Sequence, residues 1–121
     1  STIKKATDFK SIAIDGSLWV LTKTNTIERY YTGRLQETLK IEIFPELKDP
    51  TRLISFPGLP YLYLLEPSQK RIIVLNKEGK IVKQYESEDF DNLLDFAVSK
   101  DQKTIFLLNG LKVYRLASQR E

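Results

Sequence analysis

A short apolar pattern returns at a fixed interval along this chain, and that periodicity restricts its fold more than any other feature. Ile12-Ala13-Ile14 recurs 42 residues later as Ile54-Ser55-Phe56, and 42 later again as Phe96-Ala97-Val98. A second element follows each copy: Leu18-Trp19-Val20-Leu21, Leu62-Tyr63-Leu64-Leu65 and Ile105-Phe106-Leu107-Leu108, at offsets of 44 and 43. Repeats of this length belong to architectures whose units bury their apolar faces against one another. The small differences in offset fall in Asp15-Gly16-Ser17, Pro57-Gly58-Leu59-Pro60 and Lys100-Asp101-Gln102-Lys103. Such turn sequences tolerate insertion.

Third elements follow at Thr26 to Tyr31, Arg71 to Leu75 and Lys112 to Leu116. They are entered through Thr24-Asn25, Glu66-Pro67-Ser68 and Asn109-Gly110, which read as hairpin turns. Fourth elements are Leu39-Lys40-Ile41-Glu42-Ile43 and Ile81-Val82-Lys83-Gln84-Tyr85, the first alternating apolar and charged residues like an outer strand half in water. Four strands per repeat is the pattern of a β-propeller blade. The expected fold is therefore all-β: three four-stranded blades, a half-propeller, with blade 1 at about 8–44, blade 2 at about 50–86 and blade 3 at about 92–117. The third repeat ends before its outer strand, and Thr2-Ile3-Lys4-Lys5-Ala6 is expected to supply one at 2–6. Three blades cannot curl into a ring, since propellers need ~4 to 8. The leading expectation is a homodimer closing six blades about a two-fold axis, with each N-terminal strand either exchanged between chains or folded back within its own. The alternative is a half-propeller from a longer chain, as Ser1 in place of an initiator Met suggests.

Composition narrows the chemistry. Cys, His and Met are absent, which removes disulfides, thiolate nucleophiles, Ser-His-Asp triads and ordinary zinc sites. The 19 basic and 16 acidic residues alternate along the chain, so the net charge of +3 is expected to be a solvated surface and not a nucleic-acid footprint. No stretch approaches the ~18 apolar residues a membrane helix needs. No membrane insertion and no cofactor are expected of this segment.

The second repeat resembles NHL-type and related six-bladed, TolB-like propeller repeats. The matching residues are Leu62-Tyr63-Leu64-Leu65, Lys70-Arg71-Ile72-Ile73-Val74-Leu75 and Glu78-Gly79-Lys80-Ile81-Val82. Leu75 departs from the family's usual aromatic there, and Glu66 from its Asp. The same lines resemble C-terminal propeller repeats of large bacterial proteins. That resemblance implies the sensing or docking end of a longer protein, with any catalysis elsewhere; an extracytoplasmic sensor is one form of that reading.

Propellers bind on the face carrying outer-to-inner connections and second-to-third hairpin turns, so the ligand-binding candidates are Lys10, Arg52, Asn25, Glu66, Ser68 and Asn109. Lys10 and Arg52 align at an offset of 42, and Leu94 takes the third place, so a dimeric channel would carry four cations. Such a ring suits an anionic ligand or acidic peptide. Trp19, Tyr63 and Phe106 share one repeat position and are expected to fill wedges between blades. Asp15, Glu42, Glu66, Asp89, Asp91 and Asp95 show no local metal-ligand spacing and are expected to form turns. No catalytic or metal residues are assigned. The expected function is a non-enzymatic binding or scaffold module with a protein or peptide partner; the alternatives are a purely structural or engineered half-propeller and a propeller-type hydrolase.

Overall fold

The computed structural model describes residues 8–117, which form eleven strands in three antiparallel sheets. Blade 1 holds β1 (Phe9–Ile14), β2 (Leu18–Thr22), β3 (Thr26–Tyr31) and β4 (Arg34–Lys40). Blade 2 holds β5 (Arg52–Ile54), β6 (Tyr61–Glu66), β7 (Arg71–Asn76) and β8 (Ile81–Glu86). Blade 3 holds β9 (Leu93–Val98), β10 (Thr104–Asn109) and β11 (Lys112–Ala117), with β11 at its edge among the described residues. The chain is a half-propeller. The strand expected over 2–6 lies outside the described residues.

Strand neighbours are joined in sequence order, because short turns link successive strands of each blade into antiparallel hairpins. Two cores result, one per seam. Ala13, Trp19, Leu21, Ile27 and Leu39 of blade 1 meet Leu53, Leu62, Leu64, Ile73 and Leu75 of blade 2. On the other side of blade 2, Tyr63, Leu65, Ile72 and Val74 meet Phe96, Ile105 and Leu107 of blade 3. Strand β6 is therefore buried on both faces over Leu62–Glu66, whereas β10, covered on one face, alternates buried and exposed residues. Period-2 side-chain alternation makes both patterns necessary. Gly79, at φ 89°, lets the β7–β8 turn approach blade 1, since a Cβ there would lie 3.3 Å from the Cβ of Leu39.

Two expectations are corrected. The outer strand of blade 1 is Arg34–Lys40, not Leu39–Ile43. Thr32 and Gly33, at φ 50° and 78°, close a two-residue turn that pairs Tyr31 directly with Arg34. Ile41 and Ile43 leave the ladder and pack against the first core. The inner triplet of blade 2 is also slipped by one residue. Trp19, Tyr63 and Phe106 pair with Ala13, Ile54 and Ala97, so Leu53-Ile54-Ser55 corresponds to Ile12-Ala13-Ile14. Burial of Leu53 in the first core holds this register, and Ser55 follows the end of β5.

Candidate functional site

The polar residues of the connector face are mostly bound to one another across blades. Lys10 Nζ donates to Asn25 Oδ1 at 2.8 Å and to Asp49 Oδ1 at 3.0 Å. Asn25 Nδ2 donates to the Lys48 carbonyl at 3.2 Å, from a backbone held at φ 65°. Arg52 Nη1 lies 3.1 Å from Asp95 Oδ1. Lys10 and Arg52 are thus each neutralised by a carboxylate from the blade or connector that follows. These pairs are partly exposed and contribute at most about 1 kcal/mol each.

The cation ring itself is corrected. Lys10 stands at an irregularity between Phe9 and Ser11, so the residues level with one another, opposite Leu21, Leu65 and Leu108, are Ser11, Arg52 and Asp95. The third place belongs to Asp95, and not to Leu94. A position reading Ser, Arg, Asp does not gather an anion.

Glu66 and Asn109 take roles other than ligand contacts. Glu66 is fully buried with Arg71, whose Nε and Nη2 both reach Glu66 Oε1 at 2.7 Å. Glu66 Oε2 accepts the backbone N–H groups of Lys48 and Asp49 at 2.6 and 2.9 Å, and Arg71 Nη2 donates to the Pro45 carbonyl at 2.6 Å. Asn109 Oδ1 accepts Asn92 N–H at 2.9 Å, while its amide donates to Asp91 Oδ1 at 3.1 Å. Both side chains pin the connector that enters their own blade, satisfying backbone groups the turns leave open. Thr22, the matching residue of blade 1, bonds Thr26 and Thr24 across its own hairpin. A polar residue closing each second strand at offsets of 44 and 43 was the available signal. Ser68 is exposed on the 3-10 turn Pro67–Gln69, near a shallow polar dish of about 310 Å³ bounded by Lys70 and Glu88.

On the opposite face, Asp15 joins blades 1 and 2. Its Oδ1 accepts Trp19 Nε1–H at 2.7 Å and Ser17 N–H at 3.2 Å; its Oδ2 accepts Ser55 Oγ–H at 3.0 Å and pairs with the Lys77 ammonium. That ammonium and the Arg29 guanidinium stand 5.7 and 6.0 Å from the Trp19 ring centre. Burial pushes the Asp15 carboxyl up, but the hydrogen bonds from Lys77, Trp19, Ser17 and Ser55 outweigh it and hold the carboxyl below 3.8. A carboxyl with a lowered folded-state pKa stabilises fully above its unfolded value, and loses that contribution as pH falls through the folded value. Asp15→Asn is therefore expected to lower the melting temperature at pH 7 and to narrow its gap to the parent below pH 3.8. A gap unchanged between pH 7 and pH 2 would refute this.

Blade 3 carries an exposed apolar strip. Trp19 is 2% exposed and Tyr63 0%, as wedge residues should be, but Phe106 at the same repeat position is 40% exposed. With Ala97, Leu108 and Val113 it lines an open groove of about 220 Å³. The expectation of wedge packing is met at two of the three positions. The third lacks a following blade among the described residues.

No protein-family model matches the chain, and no curated protein sequence matches it. Solved structures do match in fold. A Bacteroides uniformis protein named for 6-phosphogluconolactonase superimposes with a TM-score of 0.71 at 16% identity, over 93% of this chain and 38% of that one. Virginiamycin B lyase from Staphylococcus aureus gives 0.68 at 18%, over 94% and 39%. Hsv2 from Kluyveromyces lactis gives 0.64 at 10%, over 93% and 33%. The chain spans roughly a third to two-fifths of these proteins, and the likeness is one of fold. Propeller folds of this kind include enzymes and non-enzymes alike.

Proposed function

We propose that the chain is a non-enzymatic propeller module that works by binding. Its blades join further blades to complete a ring, and its connector face meets a protein partner as the docking or sensing part of a larger bacterial protein. Within propellers, blade 2 is read as an NHL-type repeat on its Lys70 to Leu75 strand and Glu78-Gly79 turn. The assembly proposed is a pair of chains in a six-bladed ring.

The observation that carries this reading is the exposure of Phe106 and its neighbours, at a repeat position that blades 1 and 2 bury completely. An apolar strip of this kind on a sheet face marks a protein contact. The commitment of Glu66, Arg71 and Asp15 to holding connectors and seams supports the same reading, because it leaves these groups to structure instead of chemistry.

Light scattering across a dilution series tests it. The expected result is a species of about 28 kDa, twice the 14.1 kDa chain, dissociating on dilution, with a melting temperature that rises with protein concentration. A constant 14.1 kDa mass up to high concentration would overturn the paired-chain assembly.

A further inference from the structure

We infer that the exposed face of blade 3 and the inner-strand face of blade 1 are the two halves of one interface, formed between two copies of this chain, with Leu108 of one copy seated against Ile12 of the other. The inference rests on the paired-chain reading above and adds to it which residues meet.

The repeat supplies the geometry. Leu21, Leu65 and Leu108 are level with one another, opposite Ser11, Arg52 and Asp95. One residue further along the inner strands, Ile12, Leu53 and Phe96 are likewise level, opposite Val20, Leu64 and Leu107. In the first seam Leu21 and Leu53 lie in one core; in the second, Leu65 and Phe96 do. Each blade thus sends the same leucine toward the same inner-strand residue of the blade that follows. The series leaves two unmatched members. Among the described residues no blade follows Leu108, which is 38% exposed, and none precedes Ile12, which is 53% exposed.

Their neighbours extend both strips. Phe106 and Val113 flank Leu108, and Ile14, 64% exposed, flanks Ile12. On the outer part of the blade 1 face, Val20, Glu28 and Tyr30 are already buried, with Tyr30 Oη–H donating to Glu28 at 2.9 Å. The inner strand is therefore the part of that face left to receive a partner. Covering both strips removes large apolar side chains from water, the same driving force that closes the two internal seams. A second copy is the occupant because it carries the face that continues the series. Two copies related by a two-fold axis make this contact twice, blade 3 on blade 1 in each direction, leaving neither strip exposed.

The chain has no cysteine, so engineered thiols report contacts without background. Ile12→Cys and Leu108→Cys variants are mixed in equal amounts and oxidised mildly. The expected result is a covalent dimer containing one of each, with neither variant cross-linking alone, since a disulfide needs Cβ atoms within about 4.5 Å. In parallel, Phe106→Arg is expected to halve the solution mass while keeping a cooperative melt, because its side chain is not part of either internal core. Cross-linking of Leu108→Cys with itself would overturn the inference in favour of blade 3 packing back to back. A 28 kDa species, about twice the 14.1 kDa chain, that shows no mixed cross-link would overturn the interface while leaving self-association intact. A 14.1 kDa mass with no cross-link would overturn both.

Discussion

Arg71→Met is expected to destabilise the fold by about 3–5 kcal/mol, the cost of stranding a buried charge by removing its partner. Both members of the pair have side chains with 0% exposure, so water cannot take over from the guanidinium. Removing it leaves the Glu66 carboxylate in the interior with only N–H donors from Lys48, Asp49 and Gln69. It also frees the Pro45 carbonyl and the Gln84 side-chain oxygen. Converting both residues, as Glu66→Leu with Arg71→Met, removes the stranded charge, and in many proteins such a swap is harmless. Here the pair also holds the connector between blades 1 and 2, so the double variant is expected to stay less stable than the parent while recovering part of the loss. Urea denaturation reads both values from the midpoint. A loss below about 1 kcal/mol for Arg71→Met would show that the pair behaves as a surface ion pair.

Trp19→Ala is expected to cost about 3–5 kcal/mol, and Tyr63→Ala a similar amount, because each empties a wedge between two blades. Trp19→Ala removes a hydrogen bond to Asp15 as well. Phe106→Ala occupies the same repeat position, but measured in dilute monomer it is expected to cost no more than about 1 kcal/mol, the range of changes that leave a core untouched. Raising the protein concentration should widen the Phe106→Ala loss, since association then buries the ring. Equal losses for all three positions in dilute monomer would mean that blade 3 is covered within the chain.

These two results probe different kinds of information. The all-β blades, the positions of the second strands and two of the three wedge aromatics were legible in the sequence, because they depend on local rules: alternation of side chains along a strand, and glycine, proline or asparagine where the chain must turn. Trp19 and Tyr63 are buried as the repeat implied, and Tyr30 is buried while its neighbour Tyr31 is exposed, as the pleat requires.

The roles of the charged residues could not be read that way. Glu66 and Arg71 belong to a hairpin whose sequence looks like a surface turn, and their burial depends on the connector around Pro45 and Lys48 folding back over them. Arg52 finds its carboxylate in Asp95, which lies 43 positions away and one blade further on. The one-residue slip of the blade 2 triplet is of the same kind: Ser55 and Leu53 both suit an inner strand locally, and the first core, assembled from two blades, selects Leu53. The repeat and the all-β blades were thus readable from the chain alone, since period and turn chemistry are properties of neighbouring residues. Strand register, the burial of Glu66 with Arg71 and the partners of Arg52 and Asp15 come from tertiary contacts between segments 17 to 62 residues apart, where packing and desolvation select one arrangement over the rest.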